Sequence, residues 1–363
     1  MPIQNGELLF LPPQGNLETR EVLRSLVEAH RRLAELKGRV ATIPNAEILI
    51  NTLVLQEAKG SSEVENIVTT HHELYQAALF EDLHLDPAAK EVSRYAIALR
   101  FGFDKVRGGH PITANLLVEI QKRIVLNDAG IRRQKGTVLL NEQTHEVVYE
   151  PPQEHERILD YMANLETFIN DPAFYDADPL TKMAVAHYQF EAIHPFYDGN
   201  GRAGRILNIL YLVAQDLLDL PVLYLSRYIV QNKTTYYDLL GEVHRGRWEP
   251  WLLFMLEGVE VTSKQTIAVV TQIRDLMLEY KRRIRSELPR IYSQDLLANL
   301  FRHPYTTIDS LRRELDVSRL TATKYLNLLV RHGFLVKRKV GRRNFYVNEP
   351  LVKVFTSPAN AME

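Results

Sequence analysis

A chain of 363 residues, 45% hydrophobic and 25% charged with a formal net charge of −1, has the balance of a soluble globular protein of two or three domains. It contains no cysteine, which excludes disulfides, thiolate zinc sites and a cysteine nucleophile. The first twenty residues lack a basic start followed by an apolar run, and no stretch reaches about 18 uncharged apolar residues, so neither a secretory signal nor a membrane span is expected and the expected compartment is the cytoplasm.

In chain order, LETREVLRSLVEAHRRLAEL (17–36) carries apolar residues at a helical period. Pro44 follows, and NAEILINTLVLQEAKG (45–60) predicts a second helix ended by Gly60. SSEVENIVTTHHELYQAAL (61–79) predicts a third, with Ser62 and Glu65 spaced as a capping box. Two more helices are expected over 87–126. GTVLLNEQTHEVVYEPP (136–152) instead alternates strand-favouring residues about a polar turn and predicts a hairpin. Helices are expected again at 154–170, 179–194, about 202–218, 233–257 and 259–287, and a domain boundary at Pro289. Beyond it come three short helical patterns and two strands around Gly341, the order of a winged helix.

Chemistry concentrates in HPFYDGNGRAGR, His194 to Arg205. Gly199 and Gly201 permit a loop whose bare backbone amides form an anion nest, and the helix that follows adds unpaired N–H groups and the positive end of its dipole. Arg202 and Arg205 lie three apart on one helical face, and guanidinium forks fit phosphate oxygens bidentately. Asp198 supplies a carboxylate suited to Mg²⁺ beside phosphates, and His194 an imidazole suited to general-base work near pH 7. A base, a magnesium carboxylate and a polyphosphate clamp together describe transfer from a nucleotide to a hydroxyl. Each residue alone has a plainer reading, as a helix-end histidine or an Asp-Gly turn; the combination at this spacing is hard to explain as a turn.

The stretch resembles the Fic-domain motif HPFx[D/E]GNGRxxR at every defined position, and the regions about it, from about residue 10 to 260, resemble the Fic core and its N-terminal extension. The resemblance implies a mainly α fold, with a Fic helical core at 86–287 carrying a short β-hairpin flap at 136–150 and an N-terminal region at 1–85; the winged helix read from the element order takes 290–350 and leaves a tail at 351–363. It implies AMP transfer from ATP to a Ser, Thr or Tyr hydroxyl of a protein, the chain itself included, with release of pyrophosphate. His194 would deprotonate the hydroxyl and Asp198 would bind Mg²⁺. Gly199, Asn200, Gly201, Arg202, Ala203, Gly204 and Arg205 would hold the phosphates, and Val138, Leu139, Leu140 and Asn141 of the flap would lie nearest nucleotide and target. Tyr236 and Tyr237 would flank the base, with His244 a weaker candidate. Ser61, Glu65 and Asn66 fit the inhibitory motif [S/T]xxxE[G/N] carried on a helix at about 61–78; Glu65 would pair with Arg205 in place of the γ-phosphate.

Other classes compete with this one. A basic run without acidic residues, Arg319 to Tyr346, predicts a nucleic-acid footprint, so a DNA-binding regulator using the Fic core for autoregulation is the alternative. A third reading is hydrolytic removal of AMP, with Glu65 positioning water. The expected partners are ATP and a protein hydroxyl, with a second copy of the chain and duplex DNA as further candidates and no membrane.

Overall fold

The computed structural model describes residues 3–4, 7–71, 73–74, 86–140, 146–340 and 343–356. Two helices form its centre. Helices α6 (Pro179–Ile193) and α7 (Asn200–Ala214) are buried almost all round and pack on each other, as their near-continuous apolar sequences require. Around them stand α1 (Arg20–Val40), α2 (Ala46–Val64), α3 (Pro87–Arg107), α4 (Ala114–Val125) and α5 (His155–Asn170). Gly102 on α3 lies where a Cβ would come within 2.7 Å of Leu210 on α7, so only glycine permits that approach.

The second helix does not end at Gly60. Helix α2 runs on through Gly60, Ser61 and Ser62 to Val64, with Glu65 as its C-cap. Gly60 is a packing glycine: a Cβ there would sit 3.3 Å from the Arg227 nitrogen of α8 (Leu225–Gln231). Ser62 and Glu65 therefore form no N-terminal capping box. The turn closes the other way, with Ile67 N–H bonded to Ser62 O at 3.0 Å and Asn66 N–H to Glu63 O at 3.0 Å, Asn66 being left-handed at φ 61°. This is the Schellman arrangement that stops a helix. The inhibitory motif thus stands on the last turn of α2; residues 65–70 of the helix expected at 61–78 are not helical, and residues 72 and 75–78 lie outside the described residues.

After α8 come α9 (Lys233–His244) and α10 (Glu249–Glu287). Two helices were expected at 233–257 and 259–287, but the break falls earlier, at Gly246 with φ 85°, and α10 is a single 39-residue helix. Gly258 does not interrupt it; a Cβ there would meet the Tyr228 ring of α8 at 2.9 Å. Helix α1 packs along α10.

The expected hairpin is present as β3 (Leu139–Leu140) and β4 (Val147–Tyr149), paired antiparallel with Leu139 opposite Tyr149. An unanticipated two-strand hairpin, β1 (Ile3–Gln4) and β2 (Glu7–Leu8), precedes α1. The C-terminal part holds α11 (Gln294–Arg302), β5 (Tyr305–Thr306), α12 (Ile308–Leu315), α13 (Arg319–Arg331), β6 (Val336–Val340) and β7 (Arg343–Val347), its sheet ordered β5-β7-β6. The three helices and the last two strands follow the order read from the sequence, with β5 as an addition that was not expected. The expected tail begins as helix α14 (Glu349–Thr356), which buries Leu351, Val354 and Phe355 because apolar residues recur at helical spacing there. The basic run is less bare in space than in sequence: Asp309 pairs with Arg319 at 2.9 Å and Glu349 with Arg338 at 2.6 Å. Among the described residues, no helix is long and apolar enough to cross a membrane.

Candidate active site

His194 is the C-cap of α6. Its backbone is left-handed, at φ 48° and ψ 58°, and its N–H still bonds to Phe190 O at 3.0 Å. A non-glycine residue in this region is uncommon and is held by its surroundings. What holds it is Arg132, a fully buried residue that the sequence reading missed. The Arg132 Nε donates to His194 O at 2.8 Å, Nη2 reaches Pro152 O, and its own N–H donates to Pro195 O at 2.9 Å. Burial, with the Arg132 charge second, pushes the His194 imidazole down to about 4, so the ring is neutral at pH 7. The Glu191 carbonyl favours a proton on the ring, while Nδ1 is buried with no hydrogen-bond partner among the described residues, which leaves Nε2 as the candidate base atom.

The loop from His194 to α7 is braced from within. The Asn200 side chain accepts from Phe196 N at 2.8 Å and donates to Phe196 O at 2.8 Å. Its carbonyl oxygen and one of its amide N–H groups are therefore spent on the turn. Gly199 is the N-cap at φ 80°, and Gln121 from α4 donates to Asp198 O at 3.0 Å. Helix α7 thus starts at Asn200, where the N–H groups of a first turn have no partner within the helix; this is the place at which the sequence predicts an anion nest. Gly201 is needed there. A Cβ would sit 2.6 Å from Glu65 Oε1. Gly204 does the same for the helix crossing, its would-be Cβ meeting Glu191 Oε1 at 2.5 Å, while Ala203 is buried in the core.

Both arginines are buried, at 2% exposure for Arg202 and 3% for Arg205, and both are held by carboxylates. Arg205 Nη2 bonds to Glu65 Oε1 at 2.7 Å and to Ser61 O at 2.8 Å, and its Nε donates to Ser61 Oγ at 2.8 Å. The other Glu65 oxygen lies 3.3 Å from Arg202 Nε, so one carboxylate spans both guanidinium groups. The sequence reading assigned it Arg205 alone. Arg202 is also paired with Glu91 of α3 and, at 3.3 Å, with Asp198 Oδ1. Burial is the largest single influence and works against the Arg205 charge, but Glu65 and, behind it, Tyr236, Glu191 and Tyr95 together raise its pKa. Asn66 Oδ1 accepts from Lys233 Nζ at 3.0 Å.

Two further carboxyls behind this cluster were not foreseen. Glu57 accepts from Ser226 N at 3.1 Å and Tyr95 OH at 3.3 Å, and burial pushes it up to about 7. Burial likewise raises Glu191 to about 7, and among the described residues its Oε1 has no hydrogen-bond partner.

The flap stands beside the loop. Tyr197 OH accepts from Arg133 N at 2.8 Å and Gln134 N at 3.1 Å, and Tyr149 OH donates to Ala192 O at 3.0 Å. Val138 and Leu140 are exposed, Leu139 is half-buried, and Asn141 lies outside the described residues. Tyr236 does not form an exposed shelf. It is buried at 1% exposure, with its hydroxyl 2.8 Å from His187 Nε2, because α9 turns that position into the core. Tyr237 is exposed at 47% beside it. His244 stacks on Tyr149 of the flap at 4.2 Å and bonds to Tyr188 OH at 2.6 Å, so it steadies the flap.

A half-buried imidazole and two buried guanidinium groups thus stand about the N-terminus of α7. Three family models match the chain: "Fic/DOC family N-terminal" over residues 23–104, "Fic/DOC family" over 111–212 and "Protein adenylyltransferase SoFic-like, C-terminal domain" over 276–351. The chain belongs to the Fic/DOC family. It is 25% identical over 161 residues to protein adenylyltransferase fic-1 of Caenorhabditis briggsae, covering 44% of this chain and 30% of that one. It is 22% identical over 273 residues to protein adenylyltransferase Fic of Nematostella vectensis, covering 74% and 55%. The match therefore spans about a third to a half of these relatives. A solved Fic family protein from Desulfovibrio desulfuricans G20 shares the fold with TM-score 0.58 at 19% identity, over 93% of this chain and 98% of that one. Fic-1 (residues 134–508) from C. elegans does so with TM-score 0.53 at 20% identity, over 69% and 74%.

Proposed function

We propose that this chain is a protein adenylyltransferase restrained by its own Glu65. The observation that carries the reading is the single carboxylate spanning Arg202 and Arg205 at the start of α7, next to a neutral His194. A triphosphate needs those guanidinium groups; with Glu65 in place both are already engaged in ion pairs. Once Glu65 withdraws, the α7 N-terminus and both arginines can take the phosphates of ATP. His194 Nε2 then accepts the proton of a protein hydroxyl. The oxygen forms a bond to the α-phosphorus, the bond to the bridging oxygen breaks, and pyrophosphate leaves with the electron pair.

Among the described residues no three His, Asp or Glu side chains cluster as a metal cage. Asp198 nevertheless fits Mg²⁺. Its side chain is 63% exposed, and only Oδ1 is bonded, to Gly199 N at 2.6 Å and Arg202. A lone carboxylate suits an ion that takes most of its ligands from phosphate and water, and when bound that ion would neutralise phosphate charge. The relatives named protein adenylyltransferase support the same chemistry.

The test is incorporation of labelled AMP from ATP and Mg²⁺ into protein, measured on wild type, Glu65→Gly and Glu65→Gly/His194→Ala. We expect label in the Glu65→Gly protein and its loss, by about 10²–10⁴-fold, when the base is removed, with ATP binding retained. Label that persists without His194 would sink the assignment.

A further inference from the structure

Behind the last turns of α2 lies a cavity of about 520 Å³ that the transferase reading does not use. Ser61 and Glu65 share the face of α2 that grips Arg205; Gln56, Lys59 and Glu63 share the opposite face and line this cavity. Across it stand Arg227 and Gln231 of α8, and His71 from the segment after α2. Val230, Val269 of α10, and Val354 and Phe355 of α14 form an apolar wall. Its size is that of a small-molecule site.

The charges in it are unbalanced. Glu63 is paired with Lys59 at 2.8 Å. Arg227 is half-buried, and among the described residues its guanidinium makes no ion pair and no side-chain hydrogen bond; burial lowers its pKa, with only Tyr224 opposing. Among the described residues His71 Nδ1 is buried without a partner, and burial pushes that ring down to about 4, so it is neutral. A desolvated guanidinium and an unpaired ring nitrogen thus face one cavity with an apolar back wall. A desolvated guanidinium without a carboxylate costs free energy that an anion would recover.

We propose that this cavity binds a phosphorylated small molecule, its phosphate on the Arg227 fork with Lys59 beside it and its organic part on Val269, Val354 and Phe355. The planar guanidinium takes two phosphate oxygens, and Lys59 can turn from Glu63 to the second negative charge of a phosphomonoester. Gly60 lines the cavity where α2 approaches α8 so closely that a Cβ would crowd it, and Glu57 on the same stretch of α2 bonds to Ser226 of α8, so a ligand here bears on the elements that hold Arg205. That last consequence rests on the transferase reading; the binding itself does not.

Phenyl phosphate is the probe, followed by calorimetry and by melting temperature on the full chain. Phosphate could also enter the nest at α7, so the Arg202→Ala/Arg205→Ala variant is measured beside Arg227→Gln. We expect saturable binding that survives in the double variant and weakens about tenfold or more in Arg227→Gln, the loss of one charge-assisted fork. Arg227→Lys keeps the charge without the fork and should fall between, which covers the case of a misfolded glutamine variant. Absence of saturable binding in wild type would overturn the proposal. So would binding that vanishes in the double variant and persists in Arg227→Gln.

Discussion

His194 and Arg132 divide one task between a residue that is plain in the sequence and one that is not. Arg132 fixes the carbonyls around the histidine and adds the second largest push on its pKa. A base lowered to about 4 stays neutral, and so active, down to pH 4–5, whereas an unperturbed imidazole would already be half protonated near its ordinary value of 6.5. We therefore expect the acid limb of AMP transfer by the Glu65→Gly protein to lie well below pH 6. Replacing Arg132 separates charge from bonding. Arg132→Gln should move the limb upward, while Arg132→Lys, which keeps the charge, should leave it in place even where its turnover drops. Equal limbs in all three proteins would show that burial alone sets the base. Nothing in IRRQKG distinguishes Arg132, which is buried, from Arg133, which is exposed, so this partner could not be read from the sequence. The same holds for Glu191 and Glu91, whose roles come from a helix crossing and a long-range ion pair.

At the scale of elements, the end of α2 is the part whose meaning changed most. Glu65 as a helix cap and Glu65 as a restraint predict opposite outcomes. Its backbone does terminate α2, but the hydrogen bonds that do so come from Asn66 and Ile67 and do not use the Glu65 side chain. Glu65→Gly should therefore cost little as a cap. It leaves Arg205 buried and short of one charged partner, an effect of about 3–5 kcal/mol when no anion replaces it. We expect a lower melting temperature without nucleotide, recovery of that loss on adding ATP, and a rise in AMP transfer. Adding Arg205→Ala should remove both the rise and the recovery. A destabilised Glu65→Gly protein that ATP does not rescue and that transfers no more than wild type would refute the restraint. The catalytic loop itself was legible because it is local: twelve consecutive residues carry the base, the turn, the nest and the arginines. The α2 register was not. Gly60 and Ser62–Glu65 look like a stop and a start until α8 is packed against them, and only then is glycine explained by the 3.3 Å approach.

Over the whole molecule, α10 ties the parts together. Its first turns pack Trp251 against α6, with Trp251 Nε1 donating to Ala184 O at 2.9 Å. Near its end, Tyr280 OH donates to Phe334 O at 2.9 Å or Asn348 Oδ1 at 3.0 Å. A boundary at Pro289 therefore divides the sequence without freeing α10, and α11 packs back on α2. This arrangement favours a brace over a DNA reader, as does the pairing of Arg319 and Arg338 with Asp309 and Glu349. Each phosphate neutralised steepens the salt dependence of DNA binding by about 0.9 in log K per log salt. With two of its cations engaged, we expect the chain to release duplex DNA at moderate salt. Retention there, lost when Lys324, Arg331, Lys337 and Lys339 are replaced by alanine, would restore the regulator reading. The brace has its own test in Tyr280→Phe. The ring stays and still packs edge-on against Phe301 and Phe334, at 5.3 and 5.2 Å, so no cavity opens. What goes is one hydroxyl between two buried acceptors, at a cost of about 1–3 kcal/mol. If the C-terminal domain and the core unfold as one unit through α10, calorimetry of Tyr280→Phe should show a single transition shifted down. If the domain is merely tethered, the peak should split, with the core transition and ATP binding unmoved.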